Sequence, residues 1–368
     1  MFKFWLNNFR YFDVYVFGSS TLLLVLGLLM IYSTTLESAT NLMWRQLLFA
    51  LVGFGGMFML AFFDYRKIKK STAILYIVIV LALVFVYFWG ANIRGSSRWI
   101  DLGFFRIQPA EFAKLIMIII MAKFLDQAGE KIKDFRYVIL SGIYVGIPLI
   151  LVLIEPDLGS ALVILAIWLG LLLFSKINKR HLAVLMLIMV VASGLSWFFV
   201  LEDYQKNRIY TFLDPNRDPQ GRGYNVIQSI IAVGSGSITG RGVGHGLQSQ
   251  LKFLPERQTD FIFASTAEEL GLLGSGFILS MFGVMLVRMI KAAQSARDNF
   301  GMYLALGIFI MFLTQFVINV GMNLGIVPVT GIPLPLVSYG GSSLITTLLS
   351  LGLLQSIVAR QKAVRFGT

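Results

Sequence analysis

Long apolar runs recur along the whole 368-residue sequence and determine its predicted architecture. Each run is close to the roughly 20 residues that a helix needs to cross about 30 Å of hydrocarbon. The runs are continuous rather than alternating, which favours α-helices over the strands of a β-barrel. The pattern therefore predicts an all-α integral membrane protein, a bundle of ten helices at 14–32, 44–63, 71–89, 110–124, 137–154, 158–174, 181–201, 261–290, 302–326 and 342–359.

Composition agrees with a protein that has the bilayer as its solvent. Hydrophobic residues make up 57% of the chain and charged residues only 14%, too little polar surface for a soluble globule. No Pro/Ser-rich linker and no repeat of fixed period divides the sequence, so we predict a single membrane domain over 1–368. Three segments outside the helices are the most informative: 91–109, the long extracytoplasmic loop 202–259 between the seventh and eighth helices, and 323–341.

Lysine and arginine are distributed unequally between the two sides of the predicted bundle. Of the 31 such residues, 19 lie on the side that holds both chain ends and five lie in short connections on the other side. Because these charges resist translocation, both termini are predicted to be cytoplasmic and the protein to lie in the cell membrane. The net charge of +12 is concentrated next to the membrane spans, where it suits anionic membrane lipids rather than nucleic acid.

Several kinds of chemistry find no support in the sequence. There is no cysteine, which excludes thiol chemistry, and no phosphate-binding loop of the GxxxxGK[ST] type. The only two histidines, His181 and His245, are far apart in the chain, so no metal-ligand spacing is visible. Whether a metal takes part is therefore left open.

Asp260 occupies the point at which the long external loop becomes the eighth apolar helix. One interpretation is structural: Thr259 or Asp260 caps the helix and compensates the positive end of its dipole. The other is that Asp260, beside Glu256 and Arg257 at the headgroup level, faces a substrate at the membrane surface and accepts a proton from it. Spacing alone leaves both interpretations open.

Two further carboxylates, Glu268 and Glu269, follow Asp260 by eight and nine residues. At 1.5 Å per helical residue they are expected about 12 to 14 Å deeper, where ionisable groups are costly and usually functional or paired. At most one of them can share the face of Asp260. Both are candidate substrate-binding residues, as are Glu256 and Arg257.

An outward stretch between the third and fourth helices carries cations against the overall charge trend. It contains Arg94, Arg98, Arg106 and Lys114, together with Glu111. Glu111 and Lys114 are three residues apart and can pair on a helix, while the arginines meet lipid phosphates. Alternatively, the arginine forks and the lysine form a dedicated site for pyrophosphate oxygens.

Three other motifs have mainly structural interpretations. Asp157, in the turn EPDLGS, can cap the sixth helix. The glycine-rich run 233–246 can form an amide nest for an anion or a plain flexible loop. The Pro- and Gly-rich stretch 323–343 breaks helical continuity, which at membrane depth predicts a re-entrant or cavity-lining loop.

Five motifs in this order closely resemble the SEDS family of membrane proteins of bacterial cell-wall synthesis. They are GSSRWIDLGFFRIQPAEFAK, EPDLGSALV, FLDPNRDPQGRGYNVIQSIIAVGSG, QSQLKFLPERQTDFIFASTAEELG and GIPLPLVSYGGSS. The resemblance spans essentially all ten predicted helices. Within the family, the stretch QSQLKFLPERQTDFIF is most similar to the polymerases of cell elongation and less so to the division and sporulation members.

The resemblance implies a peptidoglycan glycosyltransferase that polymerises lipid II at the outer face of the cytoplasmic membrane. Asp260 matches the family's essential aspartate, and its implied role is the general base that takes a proton from the acceptor's 4-hydroxyl, with inversion at C1 of the donor. The leaving pyrophosphate needs positive charge rather than a partner acid. Arg98, Arg106 and Lys114 are candidates to supply it, either directly or with a divalent cation (Mg²⁺ or Mn²⁺) held partly by Asp260.

The same resemblance implies a class B penicillin-binding protein, a transpeptidase, as partner. Two other functions remain open, a lipid II flippase and a non-catalytic scaffold of the elongation complex. A transporter is expected to place its ionisable groups near the midplane and to show related halves. Here the candidate groups gather at one external surface, which favours chemistry over transport.

Overall fold

Helices dominate the computed structural model, which describes residues 12–36, 41–93, 96–103, 105–199, 202–215, 222–251 and 253–365. In chain order the helices are α1 (Val14–Thr34), α2 (Leu42–Phe62), α3 (Tyr65–Ile68), α4 (Thr72–Trp89), α5 (Pro109–Ala128), α6 (Phe135–Ile154), α7 (Leu158–Leu173), α8 (Lys179–Phe199), α9 (Asp203–Leu213), α10 (Arg222–Ser235), α11 (Leu247–Gln250), α12 (Ile262–Gln294), α13 (Asn299–Asn323) and α14 (Gly341–Arg365).

Ten of these helices coincide with the ten predicted spans. Eight are long and apolar enough to cross a membrane on length and composition. The other two are α5, which carries buried charged residues, and α7, which has 16 residues. The prediction of a ten-helix membrane bundle is therefore confirmed for the part of the chain described here, whereas the first eleven and last three residues, which contain both termini, lie outside it.

Aspartates begin several of the helices by accepting backbone N–H groups in the first turn. Asp13 caps α1, Asp134 caps α6 and Asp298 caps α13. Asp157 caps α7, since its Oδ1 accepts the Ser160 N–H at 3.0 Å, as the sequence predicts. These caps satisfy amide groups that would otherwise lie unpaired at the membrane boundary.

A small antiparallel sheet occupies the external segment before α5, which the sequence pattern did not predict. Its strands are β1 (Ala91–Ile93), β2 (Ser96–Asp101) and β3 (Arg106–Ile107), paired in the order β1-β2-β3. The membrane part of the bundle is all-α, as predicted. Arg94 lies outside the described residues.

The predicted long loop 202–259 is partly helical, because α9, α10 and α11 lie within it. Val226, Ser229 and Ala232 of α10 are buried at three-residue spacing on one face, which packs against α12 and α13. The Ser229 hydroxyl donates to the Asn323 carbonyl at 2.8 Å. This segment is therefore docked on the bundle, and not only a polar connection.

Helix α12 is broken at Gly271, whose φ of 65° and ψ of −156° suit glycine. The glycine-rich run takes up the backbone groups freed by the break. Arg241 and Gly242 donate N–H groups to the carbonyls of Glu268 and Glu269, at 3.0 and 2.9 Å, and the Leu272 N–H donates to the Ser237 carbonyl at 2.9 Å. Amides of this run therefore bind α12, and the binding of a separate anion by the run stays a prediction.

Candidate active site

The backbone at Asp260 is held from the side of α13 by two asparagines one turn apart. The Asp260 carbonyl accepts from Asn319 Nδ2 at 3.1 Å and from Asn323 Nδ2 at 3.0 Å. Both asparagines are fully buried. Asn323 Oδ1 also accepts the Ala264 N–H at 3.0 Å, so one amide joins Asp260 to the first turn of α12.

The segment 324–340, between α13 and α14, holds the residues just before Asp260. The Ser338 hydroxyl donates to the Thr259 carbonyl at 2.6 Å, and the Tyr339 N–H donates to the Gln258 carbonyl at 2.8 Å. Asn319 Nδ2 extends the same network to the Ile332 carbonyl at 2.8 Å. Hydrogen bonds from elements that are distant in sequence thus position the backbone at Asp260.

Asp260 lines a cavity of about 180 Å³. One wall comes from α9, through Arg208, Thr211 and Phe212, which lie on one helical face at spacings of three and four residues. The remaining lining is Asn225 and Val226 of α10 together with Val327, Pro328, Val329 and Gly331. The prediction that the Pro- and Gly-rich stretch lines a cavity is thereby confirmed.

Neither Thr259 nor Asp260 is the N-cap residue of α12, so that part of the structural interpretation is wrong, whereas compensation of the helix dipole by Asp260 stays a prediction. Helix α12 begins after Phe261 without a side-chain cap bond. The Thr259 hydroxyl instead donates to the carbonyl of Glu256 at 3.2 Å. Asn323 accepts the Ala264 amide that a capping side chain would otherwise serve, and Asp260 lines the cavity.

Arg257 lies next to this loop but is not among the residues that line the Asp260 cavity. Its guanidinium donates to the Ser249 carbonyl and, at 3.5 Å, to the Gln250 carbonyl, at the end of α11. The side chain is buried. Its contacts therefore hold α11 in place, while Glu256 adopts a positive φ of 52° in the turn before Asp260.

Glu268 and Glu269 are fully buried beneath α11 and the glycine-rich run. Glu268 accepts the N–H groups of Gln248 and Ser249, at 2.8 and 3.0 Å, and the Ser249 hydroxyl at 2.7 Å. Glu269 accepts the Ser33 hydroxyl at 2.5 Å and the Gly244 N–H at 3.1 Å. Both carboxylates therefore fix the external segment to the bundle, and a direct role in substrate binding stays a prediction.

Glu111 and Lys114 pair with each other inside the bundle. Lys114 Nζ lies 2.7 Å from Glu111 Oε1, and both side chains are buried on α5. Their predicted helix pairing is therefore seen. Because a buried charge without its partner is strongly unfavourable, each residue stabilises the other in place.

The two described arginines of the external sheet also have protein partners. Arg98 Nε donates to the Glu155 carbonyl at 2.8 Å, and its Nη2 donates to the Pro156 carbonyl. Arg106 pairs with Asp101 at 3.1 Å in an exposed ion pair. The Gly103 N–H and then Arg106 lower the pKa of Asp101.

Beside Arg98, the turn 155–157 contains an unusual carboxylate. Both oxygens of Glu155 are buried without a hydrogen-bond partner among the described residues. Burial is the main reason that the pKa of Glu155 is raised to about 8, with the Asp157 charge adding to this effect and Arg98 opposing it. Asp157 itself accepts from Gln108 Nε2 at 2.8 Å.

Residues 330–332 lie between this turn and Asp260. A Cβ added to Gly159 would lie 3.2 Å from the Thr330 carbonyl, and one added to Gly331 would lie 3.4 Å from Asp260 Oδ2. This irregular segment, in which Gly331 has a φ of 78°, therefore separates Asp260 from the turn that contains Asp157 and contacts Arg98.

Comparison with known proteins places this architecture in a family. The model of the cell cycle protein family that comprises FtsW, RodA and SpoVE matches residues 14–363. The chain belongs to this family. Escherichia coli MrdB, named a peptidoglycan glycosyltransferase, is 38% identical over 349 residues, which are 93% of this chain and 94% of MrdB. Stage V sporulation protein E of Bacillus subtilis is 40% identical, over 91% of this chain and 94% of that protein.

Solved structures of FtsW/RodA/SpoVE proteins share the fold. A chain of a peptidoglycan synthase complex, described as coordinating polymerization and crosslinking, superposes with a TM-score of 0.82 at 31% identity, covering 95% of this chain and 98% of that one. Thermus thermophilus rod shape determining protein RodA superposes with a TM-score of 0.70 at 28% identity, covering 95% and 97%. The family resemblance seen in the motifs is confirmed, as is the location in the cell membrane as a multi-pass protein.

Four residues of the site were not predicted from the sequence. Arg208 and Asn225 line the cavity, and Asn319 and Asn323 hold the backbone of Asp260. The two α13 asparagines carry a readable signal, since amides one turn apart within an apolar span usually serve packing or function. The sequence signal for Arg208 is weaker, since it is only a cation in the loop close to Asp214 and the FLDP motif.

A divalent cation at Asp260 stays a prediction. Among the described residues, no three His, Cys, Asp or Glu side chains come together as metal ligands. Among the described residues that line the cavity, Asp260 is the single carboxylate. Such residues suit a cation bound mainly by substrate phosphate oxygens and water, as Mg²⁺ often is, and do not suit a resident metal site.

Proposed function

We propose that this protein is a peptidoglycan glycosyltransferase that polymerises lipid II at the outer face of the cytoplasmic membrane during cell elongation. Support comes from its family membership and from MrdB, a relative that bears this activity in its name. The observation that carries the proposal is the cavity shared by Asp260 and Arg208. This cavity contains both a carboxylate that can accept a proton and a cation that can bind a departing pyrophosphate.

In the proposed reaction, the 4-hydroxyl of the acceptor GlcNAc attacks C1 of the donor MurNAc. Asp260 takes the hydroxyl proton, the C1–O bond to the pyrophosphate breaks with its electron pair on oxygen, and a β-1,4 bond forms with inversion. General bases of this kind contribute about 10² to 10⁴ to the rate. The leaving pyrophosphate is stable as an anion, so the site needs positive charge rather than a second acid.

Among the described residues, Arg208 is the cation that lines the cavity together with Asp260, and its planar fork suits two phosphate oxygens at once. Asn225, from α10, lines the same cavity and offers amide donors. The earlier candidates Arg98, Arg106 and Lys114 remain predictions for the donor side. Each has a protein partner that a substrate phosphate must share or displace.

The cavity is smaller than the roughly 300 to 1,000 Å³ of typical ligand pockets. It therefore suits the reacting pyrophosphate or one sugar ring, with the lipid chain and the peptide outside it. We further propose that a class B penicillin-binding protein transpeptidase is the partner, since a similar chain was solved within a peptidoglycan synthase complex.

The test is polymerisation of lipid II in detergent micelles by the purified protein together with its transpeptidase. In micelles no membrane separates two sides, so a flippase or a scaffold yields no glycan, whereas a polymerase yields chains and free undecaprenyl pyrophosphate. Arg208→Ala should slow polymerisation at least tenfold, while Arg180→Ala, an exposed arginine at the cytoplasmic start of α8, should leave it unchanged. Absence of glycan from the wild-type complex would refute the proposed function.

A further inference from the structure

A second cavity lies at the end of the bundle opposite to Asp260. It is a groove of about 550 Å³ between the start of α4, the end of α5 and the start of α6. The charge distribution predicts this end to be cytoplasmic. The groove borders the bilayer, because Ile77 and Leu140 on its rim are 57% and 41% exposed.

Two lysines line this groove, and no carboxylate does among the residues that the structure describes. Lys123 comes from α5, and Lys131 from the 3-10 turn Gly129–Lys133 that follows. The acidic residues nearest to them in sequence are paired with other lysines: Asp126 with Lys69, and Glu130 with Lys133 and Lys176. Neither groove lysine forms an ion pair within the described residues, so the groove carries uncompensated positive charge.

Lys123 is held inside the groove and does not extend freely into water. Its Nζ donates to the Thr72 hydroxyl at 2.6 Å, and Thr72 is itself buried. An ammonium group has three donors, and one of them is used in this bond. The ammonium is therefore fixed at the base of the groove with capacity for an anion.

Aromatic rings form the inner wall. Tyr144 contacts Tyr76 and Phe124, each with ring centroids 5.9 Å apart. The wall reaches Ile120, eight residues before Ala128, which is about 12 Å along the helix at 1.5 Å per residue. A site with cations at the headgroup level and an apolar wall of this depth is complementary to a lipid rather than to a soluble anion.

We propose that this groove binds an anionic glycerophospholipid of the cytoplasmic leaflet, with its phosphate between Lys123 and Lys131 and an acyl chain along the wall of Tyr76, Phe124 and Tyr144. Basic pockets between transmembrane helices on the cytoplasmic side bind such headgroups in other membrane proteins. The bound lipid would join α4, α5 and α6 on the side of the bundle away from the catalytic cavity.

Native mass spectrometry of the purified protein, titrated with phosphatidylglycerol or phosphatidylcholine, tests this site. The wild type should retain one phosphatidylglycerol in preference to phosphatidylcholine. The double variant Lys123→Gln/Lys131→Gln should bind it about 30-fold more weakly, since each surface lysine contributes about fivefold. Lys131→Gln alone, at an exposed position where folding tolerates the change, should weaken binding about fivefold.

Two matched variants separate a built site from general charge attraction. Lys67→Gln/Lys70→Gln removes two exposed lysines of the same face outside the groove and should leave binding unchanged. Ala73→Phe fills the groove without changing charge and should reduce binding as the lysine variants do. Equal retention by the wild type and the double lysine variant, or an equal loss in the control, would overturn the proposal.

Competition identifies the occupant. Neither inorganic phosphate nor equimolar undecaprenyl phosphate should displace phosphatidylglycerol from the wild type. Displacement by inorganic phosphate would show a plain anion site, and displacement by undecaprenyl phosphate would assign the groove to a polyprenyl carrier. Either result would refute the phospholipid assignment.

Discussion

Asn323 offers the sharpest test of how the fold positions Asp260. Its amide donates to the Asp260 carbonyl at 3.0 Å and to the Asn319 carbonyl at 2.8 Å, and it accepts the Ala264 N–H at 3.0 Å. Asn323→Ala removes all three bonds. A typical intramolecular hydrogen bond contributes about 1 kcal/mol, and a buried unsatisfied group costs about 1 to 3 kcal/mol. The Ala264 amide is left without its acceptor, so we expect a loss of about 2 to 4 kcal/mol in the free energy of unfolding.

The effect on turnover should be separate from the effect on stability. A displacement of about 1 Å at a reacting group costs up to about 10²-fold in rate. Asn323→Ala should therefore lower kcat for lipid II polymerisation by about 10- to 100-fold while KM changes little, because Asn323 does not line the cavity. The assay is steady-state polymerisation with the transpeptidase present, alongside a thermal unfolding curve.

Gln315→Ala is the matched control for this variant. Gln315 lies two turns before Asn323 on α13, is equally buried, and its Oε1 has no hydrogen-bond partner among the described residues. It should lose some stability through the vacated space and retain its kcat. A normal kcat in Asn323→Ala, or an equal fall in Gln315→Ala, would refute the positioning role.

Three other predictions follow from charged groups near the external face. Glu155→Gln should be more stable than the wild type at pH 8 and about as stable at pH 5. The pKa of Glu155 is raised to about 8 in the folded state, so between about pH 4.5 and 8 the carboxyl group loses its proton in the unfolded chain but keeps it in the folded protein. The free energy of unfolding of the wild type therefore falls as the pH rises through this range. The same dependence of the unfolding temperature on pH in both proteins would contradict this prediction. Glu111→Gln should lower the free energy of unfolding by about 3 to 5 kcal/mol, because it leaves Lys114 buried and unpaired, and adding Lys114→Met should recover much of that loss. An unfolding temperature of Glu111→Gln equal to that of the wild type would refute this dependence of Lys114 on Glu111. Arg208→Lys should polymerise lipid II faster than Arg208→Ala but more slowly than the wild type, because it keeps the positive charge and loses the planar guanidinium fork. Equal rates for the lysine and alanine variants would argue against a phosphate contact.

The membrane helices were predictable because their signal is local. Every apolar run long enough to span the bilayer corresponds to a helix, and Asp157 caps α7 as its position suggests. Sequence also located Asp260 at the external start of α12. The small sheet and α9 to α11 were not predicted, since segments 91–109 and 202–259 are too polar and irregular for a span. The three-residue spacing of buried positions on α10 was a signal that could have been used.

The surroundings of Asp260 could not be derived from local pattern. Its backbone partners Asn319 and Asn323 are 59 and 63 residues away, and Arg208 reaches it only through the docking of α9. Charge type alone grouped Arg98, Arg106 and Lys114 as a phosphate clamp. In the fold, Lys114 and Arg98 have protein partners because buried and half-buried cations are stable only when paired or hydrogen-bonded, and Arg106 forms an exposed ion pair with Asp101.

The account depends most directly on Asp260 acting as the proton acceptor. The decisive measurement is the rate of lipid II polymerisation by Asp260→Asn in the purified complex, with unfolding temperature and partner binding recorded on the same sample. Its backbone bonds to Asn319 and Asn323 do not involve the side chain, so the variant should fold and assemble normally. We predict a fall in rate of at least about 10² to 10⁴-fold. Glycan synthesis at close to the wild-type rate by the folded variant would contradict the proposed mechanism.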